Sequence, residues 1–312
     1  MTTRRSLLIN LAVLGGGAAF IWYARDHIIW SAPQTKFALN GSSGWLPFAR
    51  RGAVLPTLKA TVNGHPVNAL LDSGAQYSVI DRAFADDLKL PQSFAPLLAV
   101  GVGGDTQFGR GATVDVKAGG LTLSQLKAGA LDIGPLADRK KGLGAPLILG
   151  QDVLRQVVAD IDFPNRRLLL AAPKAHPVPA GAKSVPVRAQ GRALTTQLWI
   201  NGHAVEAVID TGASMVLALA ENVAETAGLL KGKAKPRYGS SLVLGGEMAG
   251  QLVTAQQIAF GGNVLYDVEV LLFPAQHIPG FPRGLLGSGA LKHFRAVFDQ
   301  GHALHLLKPG RP

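Results

Sequence analysis

The sequence predicts a mainly β protein built from two tandem lobes with short helices, and three observations carry that expectation. The first is an internal repeat. "NGHPVNALLDSGAQYSVI" at 63–80 returns as "NGHAVEAVIDTGASMVLA" at 201–218, identical at eight of eighteen positions. The second is a later pair, "APLILGQDVL" and "PRGLLGSGAL", ending at Leu154 and Leu291. The spacing from aspartate to glycine is thereby nearly conserved between copies: 78 residues from Asp72 to Gly150, 77 from Asp210 to Gly287. The third is composition: 38 glycines and 19 prolines in 312 residues favour many short strands and turns over long helices. A glycine-rich segment also lies between the landmarks of each copy, "VGVGGDTQFGRGATV" and "LVLGGEMAGQLVTA". Landmarks recurring in one order identify a tandem duplication.

The elements follow from the amino terminus. Residues 1–30 read as a membrane anchor or export signal, because Arg4 and Arg5 precede an uncharged stretch from Leu7 to Tyr23. As a helix that stretch would reach about 25 Å, the lower limit for a bilayer span. The paired arginines should stay inside and send the body across the membrane, which in a bacterium means the periplasm. "RRSLL" also resembles the core of a twin-arginine export signal. Tyr23, Arg25 and Asp26 stand where a small-x-small cleavage site would fall, which favours an uncleaved anchor over a removed signal. Residues 31–48 are polar and read as stalk and lead-in. A first lobe is expected over 49–173, a Pro- and Ala-rich linker over 174–183, and a second lobe over 184–312.

Within the lobes, "TLKATVNGHPVNALLDSG" and "TQLWINGHAVEAVIDTG" alternate apolar and polar residues around Asn63-Gly64 and Asn201-Gly202, which are hairpin signals. Short helices are expected at "DRAFADDLKL" and "AENVAETAGLL", after each acid motif, and at "QDVLRQV" and "GALKHF", after each glycine motif.

Composition also excludes functions. With no cysteine there is no disulfide, thiolate metal site or cysteine nucleophile. A formal charge of +11 favours acidic partners such as anionic lipid or nucleic acid. The basic residues are scattered, however, with no run longer than Arg139-Lys140-Lys141 and no interleaved aromatics, so nucleic-acid binding is set aside.

Two copies of one lobe packed about a pseudo-twofold axis bring equivalent loops together. Asp72 and Asp210, each ending an apolar strand, would then meet. Two carboxylates roughly 3 Å apart cannot both ionise and so share a proton. One can act as general base toward a water while the other, protonated, polarises a carbonyl. Such a pair hydrolyses an amide with no metal and no cofactor. Gly74 and Gly212 let the backbone turn sharply beside the acids. Ser73 and Thr211 carry hydroxyls that can bridge to the opposite lobe's backbone, and Ala75 and Ala213 leave room above the acids.

"LLDSGA" and "VIDTGA" resemble the catalytic motif of the retropepsin and pepsin superfamily of aspartic proteases, above all its bacterial retroviral-like members. "LILG" and "GLLG" are similar to the motif that passes behind the catalytic loop in that family. "LGQDVLRQVVADIDFPNRRLLL" is similar to the carboxyl-terminal part of the bacterial domain. The likeness runs over roughly residues 50–310. It implies a bilobal acid-protease fold of two retropepsin-like β-barrel lobes, with Asp72 and Asp210 catalytic and Gly150 and Gly287 supporting them. It also implies a peptide or protein substrate and, since one chain carries both halves, a monomer. The glycine-rich segments are expected to be flaps, with Gly103, Gly104 and Asp105 near one tip and Gly245, Gly246 and Glu247 near the other. Two departures stand out. "SGALKHFRAVFDQGHALHLL" has drifted from the family pattern, and neither flap segment has the tyrosine that pepsins carry.

Rival readings are weaker. His65 and His203 recur after each Asn-Gly turn, but an extended strand puts them some 20 Å from the acids. They read as turn residues rather than metal ligands. A non-catalytic peptide-binding scaffold on the same fold would not need both aspartates. A glycosidase also pairs carboxylates, yet it gives no reason for the repeated hydroxyl-Gly-Ala after each acid.

Overall fold

The computed structural model describes residues 10–15, 18–22, 31–38, 40–100, 106–140, 142–230, 237–243, 246–275 and 282–308. The chain is mainly β and forms two six-stranded barrels. In the first lobe the strands Thr57–Val62, His65–Leu71, Leu147–Leu149, Val79–Asp81, Leu121–Leu131 and Thr106–Ala118 neighbour one another in that order. Pairing of Thr106–Ala118 with both Leu121–Leu131 and Thr57–Val62 closes the ring. The second lobe repeats it with Ala193–Ile200, His203–Asp210, Gly284–Gly287, Leu217–Ala220, Asn263–Phe273 and Gly246–Phe260, closed by pairing of the last with the first.

Local chemistry explains the repeat. Asn63-Gly64 and Asn201-Gly202 both take positive φ, 47° and 86° in each case, the backbone of a tight two-residue hairpin turn. Each hairpin then delivers an apolar strand end, Leu70-Leu71 or Val208-Ile209, whose side chains are buried before the aspartate arrives. The four expected helices are present as short turns: Arg82–Asp87, Gln151–Leu154, Glu221–Thr226 and Ser288–Leu291. Asp81 caps the first by accepting a hydrogen bond from the Phe84 amide at 3.0 Å.

A third sheet joins the lobes. Its six strands are Lys183–Val185, Ala303–Leu307, Arg295–Asp299, Val158–Asp162, Arg167–Ala171 and Leu46–Pro47, in that order. At its centre Val158–Asp162 pairs antiparallel with Arg295–Asp299, and Asp160 lies opposite Val297. These two residues are equivalent under the 137-residue offset, so the pseudo-twofold axis passes through their pair. Asp160 is fully buried there. It accepts from the Arg295 guanidinium at 2.6 and 2.8 Å and sits 2.6 Å from Nε2 of His176, which belongs to the connection between the lobes. One apolar core, with residues as far apart as Leu58 and Leu306, runs through both lobes.

The amino-terminal stretch differs from the expected membrane helix. Asn10–Gly15 and Ala18–Trp22 are strands that pair with each other, and the first also pairs parallel with Gln92–Val100. An apolar segment with Gly15-Gly16-Gly17 at its middle can satisfy its backbone groups in a hairpin on a strand edge as well as in a helix. No helix among the described residues is long and apolar enough to cross a membrane, and the rest of the stretch lies outside them. Within the segment read as stalk and lead-in, Gln34–Phe37 pairs with Leu121–Ser124 of the first barrel.

Candidate active site

Asp72 and Asp210 come together between the lobes, and neither is more than 1% exposed. Their carboxyl groups are within hydrogen-bonding reach of each other once one is protonated. Oδ1 of Asp72 accepts from the Gly74 and Ala75 amides at 2.8 and 3.1 Å, and Oδ1 of Asp210 accepts from Gly212 at 2.9 Å. Oδ2 of each acid is buried and has no N–H or O–H partner. Two acceptors left so close are compatible only if a proton lies between them.

Burial pushes the Asp72 carboxyl up to about 7, against the pull of the Gly74 and Ala75 amides. Asp210 is pushed well above the usual carboxylate range, first by burial and then by the charge of Asp72. Asp72 receives more backbone N–H groups, so it is the member better able to carry the negative charge.

The hydroxyls next to the acids lock the lobes in a reciprocal set of four bonds. Ser73 Oγ donates to the Ile209 carbonyl at 2.8 Å and accepts from the Thr211 amide at 3.0 Å. Thr211 Oγ1 donates to the Leu71 carbonyl at 2.7 Å and accepts from the Ser73 amide at 2.9 Å. Every donor and acceptor in this buried set is used across the lobe boundary. Gly212 is required by space: a Cβ there would lie 2.3 Å from Oδ2 of Asp72. Ala75 and Ala213 are fully buried.

Gly150 and Gly287 run behind these loops. A Cβ on Gly150 would meet the Tyr77 carbonyl group at 2.6 Å, and one on Gly287 the Met215 carbonyl oxygen at 2.2 Å. The residue after each glycine holds the loop from below. The Gln151 amide donates to Ala75 O at 2.8 Å and its side chain to Ser73 O at 2.7 Å. The Ser288 amide donates to Ala213 O at 2.8 Å and its hydroxyl to Thr211 O at 2.8 Å.

Sequence reasoning missed Gln151 and Ser288, because a glutamine opposite a serine hides the shared task in an alignment of the repeats. It also missed a group behind the first acid loop. Ser78 Oγ accepts from the Gly150 amide at 3.2 Å and donates to the buried Asp152 at 2.8 Å. Burial raises Asp152 to about 6. From the second lobe, the Arg192 amide donates to Gln76 Oε1 at 2.6 Å and its guanidinium lies 4.4 Å from the Tyr77 ring centre.

The flap segments are hairpins, Gln92–Val100 with Thr106–Ala118 and Arg237–Val243 with Gly246–Phe260. Gly103, Gly104, Asp105 and Gly245 lie outside the described residues, and Gly246 and Glu247 are described by backbone alone. His65 and His203 are exposed at the start of the strand beyond each turn, and no group of three or more possible metal ligands occurs among the described residues.

A family model described as aspartyl protease matches residues 58–153 and again 196–290, one segment in each lobe. No curated protein matches the chain.

Proposed function

The chain belongs to the aspartyl protease family, and from that premise we propose that it is an endopeptidase whose two lobes activate one water between Asp72 and Asp210. The observation that carries this reading is the buried acid pair, within hydrogen-bonding reach of each other, whose Oδ2 atoms have no hydrogen-bond partner. In this mechanism Asp72, steadied by the Gly74 and Ala75 amides, takes the proton of the attacking water. Asp210 lends its proton to the scissile carbonyl oxygen. The bond formed joins water oxygen to carbonyl carbon. On collapse the carbon–nitrogen bond breaks, the proton held by Asp72 goes to the leaving amine, and one hydroxyl of the tetrahedral carbon returns a proton to Asp210. The reciprocal Ser73–Thr211 bonds keep the acids at working distance throughout.

The substrate is a peptide segment in extended form, and the complete site lies in one chain, so a monomer suffices. Arg4 and Arg5 ahead of the apolar stretch support an exported enzyme, acting in the periplasm on exported or membrane proteins, and fusion of alkaline phosphatase to the carboxyl terminus tests that placement. The central test is incubation of the chain with a peptide library, with and without pepstatin. Pepstatin-sensitive cleavage is expected. Peptide binding without cleavage would instead make the protein a scaffold on this fold.

A further inference from the structure

The two barrels differ at one strand edge. In the first lobe, Leu121–Ser124 has a strand on each side: Thr106–Ala118 on one and the chain's own Gln34–Phe37, antiparallel, on the other. The second-lobe equivalent is Asn263–Tyr266, as the matching positive φ of Gln125 and Asp267 just beyond each shows. It pairs with Gly246–Phe260 on one side. Among the described residues no strand pairs with its other side, since Leu217–Ala220 reaches only Val270–Phe273. Connectivity explains the gap. The chain reaches the second lobe from Arg167–Ala171 by way of Lys183–Val185, and both strands pair within the joining sheet rather than along this edge.

The surroundings differ in the same direction. At the turn before the edge strand, a Cβ on Gly120 would strike Ser42 O at 2.4 Å, whereas one on the equivalent Gly262 meets nothing within 4 Å. Leu123 is fully buried, but its counterpart Leu265 is only partly so. Across the outer face the first lobe shows the polar row Thr61, Lys117 and Thr122, whose pairing registers put them side by side. The second lobe replaces it with Trp199, Ala259 and Val264, and sets Tyr266 where the first has Ser124. Trp199 and Tyr266 are 50% and 70% exposed. The open edge thus has no paired strand among the described residues, a half-covered leucine beneath it, and Trp199 and Tyr266 exposed on the outer face beside it.

We infer that the edge Asn263–Tyr266 docks an extended, apolar segment of a substrate polypeptide as an added antiparallel strand. The inference deepens the proteolytic reading and rests on it for the word substrate. The first lobe supplies the template: Gln34–Phe37 shows that this edge accepts an antiparallel strand and that Phe37 packs against the core beneath it. With Trp199 and Tyr266 on the outer face, the favoured occupant is apolar on both faces. That pattern is exposed in unfolded protein and buried in folded protein. Because Phe260 and Asn263 close a two-residue turn, the backbone groups of Val264 and Tyr266 face the open side.

The test uses fluorescently labelled casein as the unfolded probe and the chain carrying Asp210→Asn, so that the probe is not consumed. Adding Val264→Pro removes an outward amide without touching the ladder to Gly246–Phe260. Casein binding should weaken by about tenfold, the effect of one or two lost ladder bonds. Tyr266→Lys, which keeps the backbone, should weaken it similarly and guards against a misfolded proline variant. In the otherwise unaltered chain, neither change should alter kcat/KM for an octapeptide that fills only the cleft. Unchanged casein binding in Tyr266→Lys would overturn the inference. So would a dimer, seen by sedimentation, that Tyr266→Lys dissolves, because the edge would then belong to a second copy. If the octapeptide is not cut at all while casein binding still falls, the proteolytic reading fails and the docking edge stands.

Discussion

The two acid loops perform one task with different supports. Behind the first, Gln151, Ser78 and Asp152 form a polar set that ends in a buried carboxyl. Behind the second, the equivalent positions are Ser288, Val216 and Gly289, and Gly289 leaves no room for a side chain: a Cβ would lie 2.7 Å from Met215 C and Val216 N. The second loop is held by close backbone packing, the first by hydrogen bonds that include an ionisable group. The hydrogen bonds that both keep, to the loop carbonyls Ser73 O and Ala75 O in one lobe and Thr211 O and Ala213 O in the other, are therefore the shared requirement. The rest is each lobe's own solution.

The sharpest way to break this comparison is at the acids themselves, where the lobes must act as equals. Asp72→Asn and Asp210→Asn should each lower peptide cleavage by about a thousandfold or more, since in the proposed mechanism each removes one of two proton-transfer partners. Circular dichroism should show both variants folded. Appreciable turnover by either would show that one lobe works alone.

Next in size are the glycines that reveal how tightly each loop is packed. Gly287→Ala should destabilise the fold by about 3 kcal/mol and Gly150→Ala by somewhat less, because the second-lobe Cβ meets carbonyl oxygen at 2.2 Å and the first at 2.6 Å. Urea unfolding of the two variants orders them, and the reverse order would mean that the second loop has the slack.

The smallest effect isolates the first lobe's carboxyl. Asp152 has a folded pKa of about 6 against an ordinary 3.8, so the folded chain holds its proton more strongly than the unfolded one. Its contribution is complete below about 3.8 and is lost as pH rises toward 6, on the order of 2–3 kcal/mol. Asp152→Asn should remove that part of the fall in stability, for which the second lobe, with Gly289 at the equivalent position, has no counterpart. Unfolding midpoints of the variant and the parent chain, measured from pH 4 to 7, decide this.

Much of this was legible in the sequence. A period-2 pattern around Asn-Gly turns and a repeated Asp-hydroxyl-Gly-Ala motif sufficed to place both barrels and to single out the buried acids. The apolar-apolar-Gly motif sufficed because only glycine lets one chain segment pass that close behind another. What escaped had no local signature. Ser78 and Asp152 are 74 residues apart, and their hydrogen bond is created only by the closing of the barrel. The contact of Arg192 with Gln76 crosses lobes, so no pattern within either repeat reports it. The amino-terminal stretch differs from its expected helix for a related reason. Apolar composition alone does not choose between a helix and a hairpin laid on a sheet edge.

The pairing of Asp160 with Val297 on the pseudo-twofold axis has a consequence for ancestry. A duplicated lobe that still matched its twin could assemble with an identical copy, as a gene encoding a single lobe must. The first lobe of this chain is not suited to that. Joined to its own duplicate in the same register, it would set Asp160 against Asp160 at the centre of a buried sheet, with Val158 in place of the Arg295 that now neutralises it. Two second lobes would face Val297 with Val297, and each Arg295 would lose the Asp160 carboxylate and keep only Asp299, the equivalent of Asp162, opposite it. At this pair the two halves are complementary to each other rather than interchangeable.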